Sequence, residues 1–415
     1  MGVRARVAAG RPGLRQWGVY RAVWVRNRVR RAVWDLLGRP VTRDRVRAAC
    51  REHVVTHPFA GLATDTGDAA LDARLAAESA APHVAWAYRY DGDLLIEPRY
   101  GYAIDGAAQL LDVSMPFSEW SRDPRWRHLI GFPSVTSVLA GRVRRSRQLR
   151  LDAVISLRFY WDDNYFHLLN DILPRLRMAD ELGVPKYVPV LVGHKLAGQP
   201  FFRELAAGGR LDGRPVVEQG DRFVAARSAY FLRPPADVAG AAFAADLLGA
   251  PARPVGARRV FVNRAAGSRR SIVNFADLEP VLARFGFEVV DTDGWSLADQ
   301  VARFSAAEYV AGVHGAGLAN MIFRRGAPCS VFEIFPPDEA LPYYAQLSSR
   351  LGFAYAAMTG AAAPGPVVDR WQPFRADPDR LAEGLAAMLA RGSHGGSGGA
   401  APAAPREPDP MRNEP

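Results

Sequence analysis

Apolar and polar positions change period in a regular rhythm across the C-terminal half of the chain. Short apolar runs at 259–263, 288–290, 309–313 and 331–334 read as strands. The segments between and after them, 276–285, 297–304, 318–323 and 343–351, carry apolar residues three and four apart and read as helices. Such alternation predicts a parallel sheet covered by helices. Upstream, residues 83–118 alternate with a period of two and predict two or three strands, with turns at Asp91-Gly92-Asp93 and Asp105-Gly106. A buried strand is expected at 153–157, a helix from about Asn164, a strand at 187–192 and a short helix at 200–207. The Pro/Gly-rich stretch 251–257 reads as a linker. The fold class is therefore α/β. It comprises one unit over 51–250 and a second over 258–390, with a cleft between them suited to a small molecule.

The strongest single signal is Tyr309-Val310-Ala311-Gly312-Val313-His314-Gly315-Ala316-Gly317-Leu318-Ala319-Asn320-Met321-Ile322-Phe323, which reads strand, Gly-rich turn, helix. A helix N-terminus offers unpaired N–H groups and the positive end of the helix dipole, which suit a phosphate. Gly315 and Gly317 would let a ligand approach the backbone, and His314 stands at the strand exit where α/β proteins place ligands. A loop from Asn263 to Asn274 presents Arg264, Arg269 and Arg270 among Gly and Ser. Its strand should end at the same sheet edge, and guanidinium forks match phosphate oxygens.

Asn164, His167, Asp171 and Arg175 are spaced by three, four and four, so they share one face of a helix. That face is either a solvated polar stripe or a catalytic one, with His167 as general base and Asp171 orienting it. Pro174 should kink or restart the helix. The pairs in Asp91-Gly92-Asp93 and Asp291-Thr292-Asp293 resemble metal-binding carboxylates, but both sit at expected turns, so no metal is expected.

Composition narrows the class further. Two cysteines, Cys50 and Cys329, exclude a disulfide scaffold and fit a reducing cytoplasm. No apolar run is long enough to span a membrane, and the N-terminus lacks the apolar core of a secretory signal. The net charge of +10 is concentrated in residues 1–50, where thirteen Arg face two Asp. Trp17, Trp24 and Trp34 are interleaved with those arginines. The segment reads as a basic arm that rests on an anionic membrane, binds a partner or is simply solvated; nucleic-acid binding is the weaker option. Residues 391–415 read as a disordered tail.

Taken together and in order, these motifs resemble glycosyltransferase family 61, the type found in bacterial capsular polysaccharide biosynthesis. The matching positions are Asn164-Tyr165-Phe166-His167 with Asp171, Pro174 and Arg175; Arg264 with Arg270-Ser271-Ile272-Val273-Asn274; Gln300; His314-Gly315-Ala316-Gly317-Leu318-Ala319-Asn320 with Phe323; and Glu333. Phe275 stands where the family pattern suggests an acidic residue. The resemblance implies a GT-B-like architecture of two Rossmann-like domains facing across a cleft. It implies inverting, metal-independent transfer from a nucleotide sugar, usually UDP-linked, to a glycan or glycolipid, with no cofactor. It places His167 and Asp171 as catalytic, and Arg264, Arg270, Asn274, His314, Gly315, Ala316, Gly317, Asn320 and Glu333 on the donor. Asn164 and Arg175 fall on the acceptor side.

Overall fold

The computed structural model describes residues 25–26, 28–30, 32–34, 40–41, 50–57, 62, 64–79, 83–107, 109–114, 131–209, 211–337, 339–365 and 371–394. The first half is built on β1 (Pro40–Val41), β2 (Cys50–His57), β3 (His83–Ile96), β4 (Ala103–Asp105), β5 (Leu110–Leu111), β6 (Leu149–Ser156), β7 (Val190–Val192), β8 (Val216–Glu218) and β9 (Val224–Arg233). They form one sheet in the order β1-β5-β4-β3-β9-β6-β7-β8, with β2 also paired to β3. The sheet is mixed. Strands β9, β6, β7 and β8 run parallel, whereas β3 is antiparallel to β2, β4 and β9.

Two expectations for this half change. Asp91-Gly92-Asp93 is no turn: β3 runs through it, and the β3–β9 register shifts between Asp91 and Leu94. A bulge absorbs the extra residues, and Gly92 takes φ 149°. Nor is the basic N-terminal segment wholly detached from the folded body. Residues 25–26, 28–30 and 32–34 are helical, and the buried Trp34 indole donates to the Pro133 carbonyl at 2.9 Å. Residues 1–24 and 395–415 lie outside the described residues, and with them Trp17, Trp24 and most of the expected tail. The helix Pro378–His394 runs into the start of that tail.

The second half contains β10 (Arg258–Val262), β11 (Glu288–Val290), β12 (Ala307–Val313), β13 (Ser330–Phe335) and β14 (Ala354–Thr359). All neighbours pair in parallel, in the order β11-β10-β12-β13-β14. In chain sequence that is 2-1-3-4-5, a doubly wound order whose direction of winding reverses between the first and third strands, here β10 and β12. Side chains alternate across this sheet as the pleat requires. Val260, Val262, Val310 and Val331 join a core with residues of the helix Leu297–Ser305, the 3₁₀ helix Ala316–Arg324 and the helix Tyr343–Leu351. Phe261, Ala311, Val313, Phe332 and Ile334 join a second core under the helices Phe275–Arg284 and Pro378–His394.

The first of these cores also takes in Ile155, Leu169, Leu173, Leu205 and Leu232, so apolar packing is continuous between the halves. Polar ties reinforce it. The Glu204 carboxylate, from the helix Pro200–Ala207, accepts the backbone N–H groups of Leu297 and Ala298 at 2.8 and 3.3 Å. It therefore caps the first turn of a helix in the other half, where N–H groups lack partners and the dipole favours negative charge.

Candidate active site

The segment after β6 is shaped by Pro174. A helical proline has no N–H to donate and its ring presses on the carbonyl four residues earlier. The helix begins at Tyr165–His167, capped by Asn164, whose side chain accepts the Phe166 N–H. It then widens to a π-helical turn over Leu168–Ile172, marked by the Leu173 N–H bonding to Leu168 O at 2.9 Å, and resumes as Pro174–Glu181. Such turns often mark functional sites, because they re-aim side chains that a regular helix would stack.

The re-aimed pair is His167 and Asp171. The imidazole Nδ1 lies 2.7 Å from Asp171 Oδ2. A carboxylate accepts, so Nδ1 carries the proton and Nε2 is left as the atom that can exchange one. The ring is fixed by three aromatic neighbours: Trp161 at 5.7 Å nearly parallel, Phe159 at 4.8 Å, and the edge of Phe166 at 5.3 Å. Arg175 does not share their exposure. It is buried, and donates to the carbonyls of Asp171, Ser156 and Arg158. Burial holds its pKa down to about 10, with Asp171 and Asp162 opposing that shift. Arg350, from the second half, is likewise lowered to about 10 by burial, and Asp171 and Asp237 oppose that shift. The polar stripe legible in the sequence thus runs from an exposed Asn164, through the half-buried His167 and Asp171, to a buried Arg175.

At the sheet edge of the second half, β12 ends at Val313 and His314 follows it. Its ring is buried, and Nδ1 meets Glu333 Oε1, while Glu333 Oε2 accepts the Tyr355 hydroxyl at 2.5 Å. Glu333 is wholly buried on β13. Phe335 stacks on His314 at 5.3 Å, and Tyr344 packs edge-on at 5.4 Å. The Tyr344 hydroxyl donates to the Gly315 carbonyl at 2.6 Å. Burial raises both the Tyr344 and Tyr355 phenols well above their ordinary range.

Gly315 is needed for close approach: a Cβ there would collide with the Arg264 guanidinium, which lies across the turn. A Cβ at Gly317 would come within 2.8 Å of the Val262 side chain and 3.0 Å of Thr292 Oγ1. Arg264 follows β10 and donates Nε–H to the Arg269 carbonyl at 2.8 Å. Its pKa is lowered by burial first and by the positive charge of Arg270 second. Among the described residues no carboxylate lies within ion-pair distance of Arg264. The Arg270 partner Glu339 is 3.9 Å away and shares its other oxygen with the Trp371 indole. Two arginines thus stand beside the turn after β12, at the point where the strand order reverses; Glu339 pairs with Arg270, and Asp293 and Asp291 act on Arg264 from further off. That is the geometry of an anion site.

The remaining expected residues are engaged within the protein. Asn320 is fully buried. It donates to Gln300 Oε1 at 2.9 Å and accepts the Tyr165 hydroxyl at 2.8 Å, tying the two halves together. Asn274 bonds both backbone atoms of Ala376 and so pins the C-terminal segment. Ala316 opens the 3₁₀ helix. Asp291 and Asp293 form a turn, in which Asp291 Oδ1 accepts the Asp293 N–H at 3.0 Å. The two histidine clusters meet through rings: Phe166 lies 5.3 Å from Tyr343 and 5.5 Å from Tyr344, which border His314. The tyrosines at 343, 344 and 355 and Arg350 carry no motif signal in the sequence; only the paired aromatics at the start of a helix hinted at them.

Fold and site together give an α/β protein in which two arginines and a buried histidine stand at the switch point of a doubly wound sheet. Residues 165–331 match the family model described as Glycosyltransferase 61, so this segment of the chain is similar to glycosyltransferase family 61. The matched segment spans the His167 helix, the Arg264–Asn274 loop and the turn at His314, and ends before Glu333. Comparison with curated proteins finds no match.

Proposed function

We propose that the protein transfers a sugar from a nucleotide sugar, UDP-linked, to a glycan or glycolipid acceptor with inversion at the anomeric carbon. The observation that carries this reading is the pair Arg264 and Arg270 beside the Gly315 turn, facing the neutral wall of aromatic rings that leads to His167. In a single displacement the acceptor oxygen attacks the anomeric carbon as the bond to the diphosphate breaks. The acceptor proton passes to His167 Nε2, and Asp171 stabilises the imidazolium that forms. The charge that grows on the departing diphosphate is met by both guanidinium groups, so this reading routes no step through a metal.

His314, with its Nδ1 committed to Glu333, offers Nε2 to the donor; Glu333 and Tyr355 act by holding that ring. Arg175, Asn274 and Asn320 serve as positioning residues, because their polar atoms are spent on the protein. Asn164 remains an acceptor-side candidate through its place one turn before His167. We read the reaction as a step of surface polysaccharide assembly at the inner face of a plasma membrane, a setting that the family resemblance favours. Among the described residues no helix is long and apolar enough to cross a membrane.

The test is release of nucleoside diphosphate from a panel of nucleotide sugars. Wild type should release UDP from at least one. His314→Ala and Arg270→Ala should lose release, and His167→Ala should lose turnover while still binding UDP. Binding by the wild type without release from any sugar would identify a nucleotide-sugar-binding module instead.

A further inference from the structure

The N-terminal helical residues carry two unlike stripes, side by side. Trp34 and Arg30, one turn apart, dock on the first half: the indole reaches Pro133 O and the guanidinium reaches Phe132 O at 3.3 Å. Arg26, one turn earlier, falls on the same side, and its charge acts on the Tyr160 phenol. The neighbouring stripe, about 100° round the helix, is Val25, Val29 and Val33, again spaced by four, and they are 49, 56 and 38 % exposed. A helix docked through a tryptophan that still leaves a valine stripe outward has an apolar face with no use inside this fold.

We propose that this outward face docks the protein on an anionic lipid surface. Val25, Val29 and Val33 would enter the boundary between headgroups and acyl chains, and the flanking arginines would lie against lipid phosphates. Charge selects this occupant. The same fifty residues carry thirteen Arg against two Asp. Each arginine near an anionic leaflet is attracted to it, and a helix that is apolar along one stripe and basic around it suits the interface plane. A second copy of the chain fits less well. Three valines cover far less than the roughly 1,000 Å² that a stable interface buries, and two such segments would repel. The docked side explains what the orientation achieves. Tyr160 packs edge-on against Trp161 at 5.1 Å, and Trp161 stacks on His167. The lipid-facing helix therefore borders the His167 end of the site, where an acceptor anchored in the same bilayer would arrive. This last step rests on the transferase reading; the docking itself does not.

The experiment is flotation of the full chain with vesicles of phosphatidylcholine alone and of phosphatidylcholine mixed with phosphatidylglycerol. The expected result is binding only to the anionic vesicles, weakened roughly tenfold or more in Val25→Ser/Val29→Ser/Val33→Ser and strengthened in the corresponding triple Leu variant. Both variants should melt where the wild type does, since the substituted side chains are exposed. Absence of binding by the wild type, equal binding by all three proteins, or a dimer that the Ser variant dissolves would each overturn the proposal. Binding of UDP, measured separately, is expected to be unchanged in both variants, so failure of the docking and failure of the transferase reading are distinguishable.

Discussion

Removing one oxygen at Tyr165 should measure how firmly the halves are joined. The Tyr165 hydroxyl donates to Asn320 Oδ1 at 2.8 Å, and Asn320 is fully buried. Tyr165→Phe keeps the ring and its packing on Phe201, 5.3 Å away, but leaves that amide oxygen without its donor. Asn320 keeps its bond to Gln300, so the loss is confined to one acceptor. An unsatisfied buried acceptor costs about 1–3 kcal/mol, against about 0.5–1.5 kcal/mol for a hydrogen bond removed with both partners. The variant should therefore lose about 1–3 kcal/mol in urea unfolding, as a lower midpoint at unchanged slope. Asn320→Ala removes the acceptor, and the double variant should recover part of the loss. A coupling energy of about 0.5–3 kcal/mol is expected for contacting residues. Additive losses, or a Tyr165→Phe variant as stable as wild type, would refute the idea that this bond joins the two clusters.

Three further outcomes follow from particular contacts. Gly315→Ala should fold with little change in melting temperature yet bind UDP at least about tenfold more weakly, by calorimetry, because the new Cβ must push the Arg264 guanidinium off the turn. Glu204→Ala should cost about 1 kcal/mol in denaturant unfolding, since it uncaps the helix Leu297–Ser305 from across the interface. Glu97 is buried and accepts the N–H groups of Arg99 and Tyr100, and burial raises its pKa above 4.5 despite the nearby Arg158. A carboxyl raised on folding contributes stability that is full below the unfolded value and lost as pH rises through the folded one. The difference in unfolding free energy between Glu97→Gln and wild type should therefore shift in favour of the variant as pH climbs from about 4.5, and a difference flat in pH would contradict the cause given for the shift.

Much of the second half was legible because its strands and helices are local patterns in one doubly wound sheet. The edges 288–290 and 343–351 coincide with Glu288–Val290 and Tyr343–Leu351, and in the first half 200–207 coincides with Pro200–Ala207. Asp91-Gly92-Asp93 misled because its preference for a turn is overruled by β9, more than a hundred residues away, which pairs with β3 from Trp86 to Ile96 on both sides of the bulge. The same separation hides the partners of the polar residues. Asn274 bonds Ala376 at a separation of 102 residues, and Asn320 bonds Tyr165 at 155. A motif position shows that an amide is present, but whether it serves a ligand or the fold depends on such distant groups. The widening of the helix at Leu168–Ile172 follows from Pro174, yet the inward turn of Arg175 depends on the carbonyls of β6 and the loop after it.

The central claim is that the turn after β12 and the arginines after β10 form one diphosphate site. Titration calorimetry with UDP tests it most directly, on wild type, Arg264→Ala, Arg270→Ala and the double variant. Wild type should bind, and each single variant should lose roughly tenfold or more in affinity, in keeping with a charge-assisted hydrogen bond of about 1.5–3 kcal/mol. The double variant should show no measurable heat. Equal affinity in all four proteins, or no binding of UDP by the wild type, would contradict the account.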